Sequence, residues 1–145
     1  MPKWVGEGTE EFAKRIRSEL GFSLVEIPLA KRSKATSVDQ CLTKEADNIL
    51  SNLTADDFVV AFDVQGKSKS TEQLAAHIQR LRQDGQNLVL IIGGPDGLHD
   101  SVLKRADASW SLSAMVMPHG LVRVLVTEQL YRAHSLIQGH PYHRP

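Results

Sequence analysis

Two nearly continuous apolar runs, DFVVAFDV at residues 57–64 and NLVLIIGG at residues 87–94, limit most strongly what this chain can fold into. A strand with one face in water alternates polar and apolar residues, whereas an unbroken run suits a strand buried on both faces, as in a parallel sheet. Between the runs lies STEQLAAHIQRLRQDG. Ser70 suits an N-cap, Leu74, Ile78 and Leu81 keep helical spacing, and Gly85 follows as a stop. Strand, helix and strand in succession is the unit that parallel pairing requires, because a hairpin cannot connect parallel neighbours.

The rest of the chain continues the alternation. FSLVEI at residues 22–27 is rich in strand formers and closed by Pro28, so a strand is expected there. Helical patterns run over residues 9–20, 38–53 and about 121–137, and SWSLS at 109–113 reads as a short strand. The expected fold is α/β with a mainly parallel sheet. At 145 residues the chain is expected to form one domain. The loop AKRSKATS at 30–37 is the longest polar stretch and is not expected to divide it.

Seventeen basic residues balance seventeen acidic ones, which argues against coating nucleic acid through bulk charge but leaves local basic patches open. Cys41 is the only cysteine, so neither an internal disulfide framework nor a cysteine zinc site is expected. The N-terminal stretch lacks a signal-peptide apolar region, and no apolar run suggests a membrane span. A cytoplasmic setting without membrane attachment is the expectation.

Ligands of open parallel sheets bind beyond the carboxyl ends of the strands. Three segments fall there: DVQGK, GGPDG and SAMVMPHG. IIGGPDGL fits neither the dinucleotide nor the P-loop pattern, so it reads equally as a tight strand-to-helix turn or as a ligand loop that lets a bound group approach the backbone. In SLSAMVMPHG two methionines flank Val116 before Pro118, His119 and Gly120 open a helix. Such a loop could cradle a purine or a thioether, although a methionine pair is more commonly core filler. Arg123 is expected in the first turn of that helix, where a cation opposes the macrodipole and calls for an anionic partner or a function. The helix carries a broad apolar face, suited to the core or to a partner subunit.

The chain ends GHPYHRP, with His140, Tyr142, His143 and Arg144 in its last seven positions. Terminal residues usually fray, while a functional tail of this type would stack a base on tyrosine and pair phosphate with arginine. Pro141 breaks any regular presentation of the two histidines, so a metal is not expected. The basic clusters KRIR at 14–17, with Ile16 inward, and KRSK at 31–34 read most simply as solvated faces.

The combination of LVLIIGGPDGL with SWSLSAMVMPHGLVRVLVTEQLYRAHSLIQGHPYHR resembles the ribosomal RNA large subunit methyltransferase H family, a bacterial branch of the SPOUT methyltransferases. The resemblance extends to VEIPLAKR, AFDVQGK and STEQLAAHI, and covers almost the whole chain. It implies a SPOUT-type parallel sheet flanked by helices, with a C-terminal trefoil knot, in one methyltransferase domain over residues 1–145. It also implies a homodimer that transfers a methyl group from S-adenosylmethionine to N3 of a pseudouridine in helix 69 of 23S ribosomal RNA, with the assembled ribosome as the expected partner. Family cofactor contacts carry over to Phe62, Gly94, Ser113, Ala114, Met115, Val116, Met117 and Pro118. Substrate-handling positions match His119, Arg123, Tyr142, His143 and Arg144. Relatives usually begin with a further strand resembling KLQLVAVGK, which is lacking before Met1-Pro2; either the true start lies upstream, which is the favoured expectation, or the domain is N-terminally short with an incomplete sheet.

On that resemblance His143 or His119 is expected to assist proton loss, Arg123 and Arg144 to hold phosphate or the base oxygen, and Tyr142 to stack or hydrogen-bond at the target. A composite site is expected, with the cofactor in one subunit and tail residues from the other. Two other readings remain: a non-catalytic RNA-binding module using the basic loops and tail, and a small hydrolase or nucleotide-binding enzyme, for which P-loop, nucleophile elbow and metal cluster are all lacking.

Overall fold

In a computed structural model, which describes residues 1–144, the chain is α/β, with the element order α1 (Lys3–Ile16), α2 (Val38–Ser51), β1 (Phe58–Ser68), α3 (Thr71–Gln83), β2 (Leu88–Ile92), α4 (Asp100–Arg105), β3 (Ala108–Ser111) and α5 (His119–Ile137). Its residues group into two compact units, Met1–Leu24 with Lys69–Gly85 and Val116–Pro145, and Val25–Ser68 with Gln86–Met115.

The second unit carries the sheet. The two apolar runs form β1 and β2, paired in parallel, and β3 joins the other side of β1 in parallel, giving the order β2–β1–β3. Val59, Val60 and Ala61 of β1 are wholly buried, as an unbroken apolar run requires. Val59 and Ile91 pack with Ala46 of α2 and Val102 of α4, and burial of each large side chain contributes on the order of 2 kcal/mol. α2 begins with a reciprocal capping box in which Ser37 and Gln40 satisfy each other's backbone N–H groups.

The first unit is helical. Ser70 and Gln73 form the same box at the start of α3, where Leu74, Ile78 and Leu81 are buried, and Gly85 closes it at φ 67°. α1 and α5 run parallel: a Cβ on Gly120 would lie 2.8 Å from Val5, a Cβ on Gly8 would lie 3.2 Å from Val124, and Phe12 meets Tyr131. The small residues let the two helices approach closely. In KRIR, Ile16 is buried as expected, while Lys14 and Arg15 pair with Glu11 and Arg17 with Glu10 on the surface.

Two expectations need correction. The strand expected at residues 22–27 has no regular structure, and Leu24 and Val25 are exposed. Strand propensity reflects fit to a half-buried pleated surface, and no strand among the described residues pairs with this segment. The helix expected from residue 9 begins six residues earlier, at Lys3, with Pro2 at its N-cap, and ends at Ile16 rather than residue 20. Gly6 and Gly8 disguised its first turns.

Candidate functional site

The parallel ladders place one set of candidate residues on a common edge. Phe62 pairs with Ile92 at the carboxyl end of the β2 register and, on the other side, with Trp110 just before β1 leaves the β3 register. Its ring meets Trp110 edge-on at 6.5 Å. Gly94 lies two residues beyond Ile92, in a turn closed by the Gly97 N–H donating to the Gly94 carbonyl at 3.0 Å. Ser113 follows β3; its carbonyl accepts from the Ser111 hydroxyl at 2.9 Å, and its own hydroxyl accepts from the Met115 N–H at 3.0 Å. Beyond that anchor the loop turns outward. Ala114, Met115, Val116 and Pro118 are exposed and Met117 is half-buried, with Met115 at 77% and Val116 at 83% exposure. Core filler is therefore the wrong reading for Met115.

After Phe62, β1 leaves the β3 register and rejoins it at Lys67. Gly66 makes that detour possible, because a Cβ there would stand 2.6 Å from the Ser109 backbone. The DVQGK segment is thus a bulge at the carboxyl edge, a place where bulges commonly re-aim side chains.

The second set of candidates lies on the helical unit. α5 starts at His119, so Arg123 sits past its first turn, and the macrodipole argument for a special partner does not apply to it. Its guanidinium approaches His119 Nε2 at 3.4 Å, a long contact in which the imidazole nitrogen accepts. At the other end α5 closes with Gly139 at φ 72°, the Gly139 N–H donating to Leu136 and the His140 N–H to Ser135. These two bonds form a Schellman motif, which turns the chain back along the helix.

The returning tail is anchored, not frayed. The Tyr142 hydroxyl donates to Glu128 Oε1 at 3.2 Å, and its ring packs edge-on against Tyr131 at 4.6 Å, with the Arg132 guanidinium 4.9 Å from its centre. Arg132 Nε donates to the same Glu128 oxygen at 2.7 Å. Arg132 also donates to His143 Nδ1 at 3.2 Å, while His143 Nε2 meets Glu72 of α3 at 3.0 Å. Guanidinium can only donate, so Nδ1 faces Arg132 as the acceptor and the Nε2–H donates to Glu72. Arg144 is exposed. Burial and the neighbouring Glu128 carboxylate raise the Tyr142 phenol above its ordinary value, whereas the hydrogen bond from His143 holds Glu72 below the usual carboxylate range.

Sequence reading picked out Tyr142 and His143 but not the acids that hold them. Glu128 and Arg132, four residues apart on α5, carried a visible i, i+4 signal; Glu72, in a different helix, carried none. Among the described residues, no group of three or more His, Cys, Asp or Glu is placed to hold a metal ion.

Residues 1–143 match the family model described as "Predicted SPOUT methyltransferase". The chain belongs to the SPOUT methyltransferase family. Curated relatives of this SPOUT chain are named ribosomal RNA large subunit methyltransferase H. That of Saccharophagus degradans is 49% identical over 144 residues, with 99% of this chain and 93% of the relative aligned. Those of Marinomonas sp. and Hahella chejuensis are each 47% identical over 144 residues, covering 99% of this chain and 93% and 92% of the relative.

SPOUT methyltransferases use S-adenosylmethionine as methyl donor. The sheet edge of this member suits such a group. Gly94 lets Leu29 pack within 3.0 Å of where a Cβ would stand and keeps the turn beyond β2 free of a side chain of its own, and the apolar side chains of Met115 and Val116 stand exposed without a core to fill. Adaptable methionine and backbone surface matches a ligand that joins a flat base to a thioether-like sulfonium.

Proposed function

We propose that this protein is an S-adenosylmethionine-dependent methyltransferase acting on N3 of a pseudouridine in helix 69 of 23S ribosomal RNA. On this reading residues 1–145 are one SPOUT domain with the family's C-terminal trefoil knot. The protein works in the cytoplasm as a homodimer, on the assembled ribosome. Phe62, Gly94 and residues 113–118 hold the cofactor, while His119, Arg123, Tyr142, His143 and Arg144 handle the RNA.

The observation that carries the reading is the length of α5 between residues 116–118, which lead into it, and the anchored tail. The 113–118 loop enters the amino end of α5, but the tail is anchored at Glu128, Tyr131 and Arg132. At ~1.5 Å rise per residue, those anchors stand roughly 14–20 Å along the helix from His119. A tail held so far along its own helix is better placed to serve a partner's cofactor loop, so each active site takes its loop from one subunit and its tail from the other.

Bound S-adenosylmethionine supplies a methyl group already made electrophilic by its sulfonium. The chain's own residues supply alignment and proton removal. N3 of a uracil-type base carries hydrogen, and its lone pair becomes nucleophilic once that proton leaves. Tyr142 stacks on or hydrogen-bonds the target base, Arg144 and Arg123 hold phosphate or base oxygen, and holding N3 in line accounts for much of the acceleration. Both nitrogens of His143 are engaged while the tail is anchored, which suits positioning. His119, the first residue of α5 and next to the 113–118 loop, takes the proton.

Transfer of labelled methyl groups to ribosomes with and without the modification tests the activity, and calorimetry with S-adenosylmethionine separates it from a bare RNA-binding module, which would give no heat. Heterodimers pairing a Gly94→Trp subunit with a Tyr142→Ala subunit should recover activity that neither homodimer has. Absence of recovery sinks the composite site.

A further inference from the structure

The KRSK cluster is not a uniform solvated face. Lys31, Ser33 and Lys34 are exposed, but Arg32 turns inward. Its Nε and Nη2 both donate to Asp96 Oδ2, at 3.2 and 2.9 Å. Its Nη1 donates to the Ala30 carbonyl at 2.8 Å and to the Glu45 carboxylate of α2. Glu45 is nearly buried, with a side chain 9% exposed, and also accepts the Ala30 N–H at 2.8 Å. Asp96 belongs to the glycine turn, between Gly94 and the Gly97 N–H that closes it. Leu29 completes the contact: its Cδ2 lies 3.0 Å from where a Cβ on Gly94 would stand. Residues 29–32 therefore form a strap tied at one end to α2 and at the other to the turn.

We propose that Arg32 is a positioning residue for cofactor binding, holding the glycine turn in its ligand-ready shape by tying Asp96 to Glu45. The proposal rests on the reading of Gly94 as part of the cofactor site. A turn that receives a ligand on bare backbone works only if that backbone is already in place, since ordering it on binding would consume affinity. Glycines supply the access but no rigidity, so rigidity must come from elsewhere. A planar guanidinium meets this need, because its fork engages two carboxylates and a carbonyl at fixed angles, which an ammonium cannot do.

The test is calorimetric titration of the full chain with S-adenosylhomocysteine, with thermal melting alongside. Asp96→Ala is the main variant: it unties the turn while leaving Arg32 on Glu45, so folding is expected to stay intact. Its Kd should rise about tenfold with Tm nearly unchanged. Arg32→Lys should fall between Asp96→Ala and the unaltered protein. Binding by the unaltered protein with Kd within about twofold in Asp96→Ala overturns the clamp and leaves the cofactor site standing. A lowered Tm with unchanged Kd likewise makes Arg32 merely structural. No binding by the unaltered protein overturns the cofactor site and the clamp together.

Discussion

The 113–118 loop and the C-terminal tail flank the same helix and are built by opposite means. The loop is held at Ser113 and then exposes Met115 and Val116 to water. The tail's Tyr142 and His143 are both held: Tyr142 by Glu128 and Tyr131, His143 by Arg132 and Glu72. An apolar loop held open has its contacts still to make, while a polar tail held fast has already met the ordering cost of its side chains. Affinity should therefore be tunable at the loop without loss of stability, and any change at the tail should register in both.

Glu128→Ala presses hardest on that contrast. It leaves Arg132 and the Tyr142 hydroxyl without their shared acceptor, and should cost about 2 kcal/mol in chemical denaturation and roughly a hundredfold in methyl transfer. Tyr142→Ala comes next, at about 1 kcal/mol for the edge-on ring contact, whereas Tyr142→Phe keeps the ring and should retain most of that stability. Gly139→Ala forces a side chain into the left-handed turn and should lower stability by roughly 1 kcal/mol, loosening Tyr142 without touching it. At the loop, Met115→Ala should change stability by no more than about 0.5 kcal/mol while weakening S-adenosylhomocysteine binding measurably. A melting shift there equal to that of the tail variants would erase the distinction.

The smallest effect is a dependence on pH. Glu72 has its folded-state pKa lowered by the hydrogen bond from His143, so its contribution to anchoring is present above the ordinary carboxylate range and lost as pH falls through the lowered value. Tail amide exchange should accelerate on acidification through that range, and Glu72→Gln should remove the dependence.

Much of the fold was legible because its signals are local. β1 and β2 announced themselves as unbroken apolar runs, and Ser70 marked the start of α3 as its N-cap, with Gln73 completing the capping box in the structure. What failed depended on distant partners. Residues 22–27 carry strand-forming side chains, but a ladder needs a neighbour that propensity cannot supply. The six-residue α4 begins on His99, an unusual N-cap whose Nδ1 accepts from the Ser101 N–H, and escaped notice. The residue types of the candidate site were visible in GGPDG, SAMVMPHG and PYHR; that the tail is fastened by Glu72, fully 71 positions away from His143, was not.

α5 joins loop and tail without an internal break, and so behaves as a screw between them. Each residue inserted or removed within it rotates everything downstream by about 100° relative to everything upstream. One extra residue between Val124 and Glu128 would swing the tail onto a different flank of the helix, however well the helix itself survived. Seven extra residues would nearly restore the angular phase, since two turns take ~7.2 residues, but would shift the tail along the axis by about two turns. The angular placement of the tail relative to the start of α5 thus admits almost no change in the length of α5, whereas the 113–118 loop, outside the screw, can vary in length without disturbing that phase.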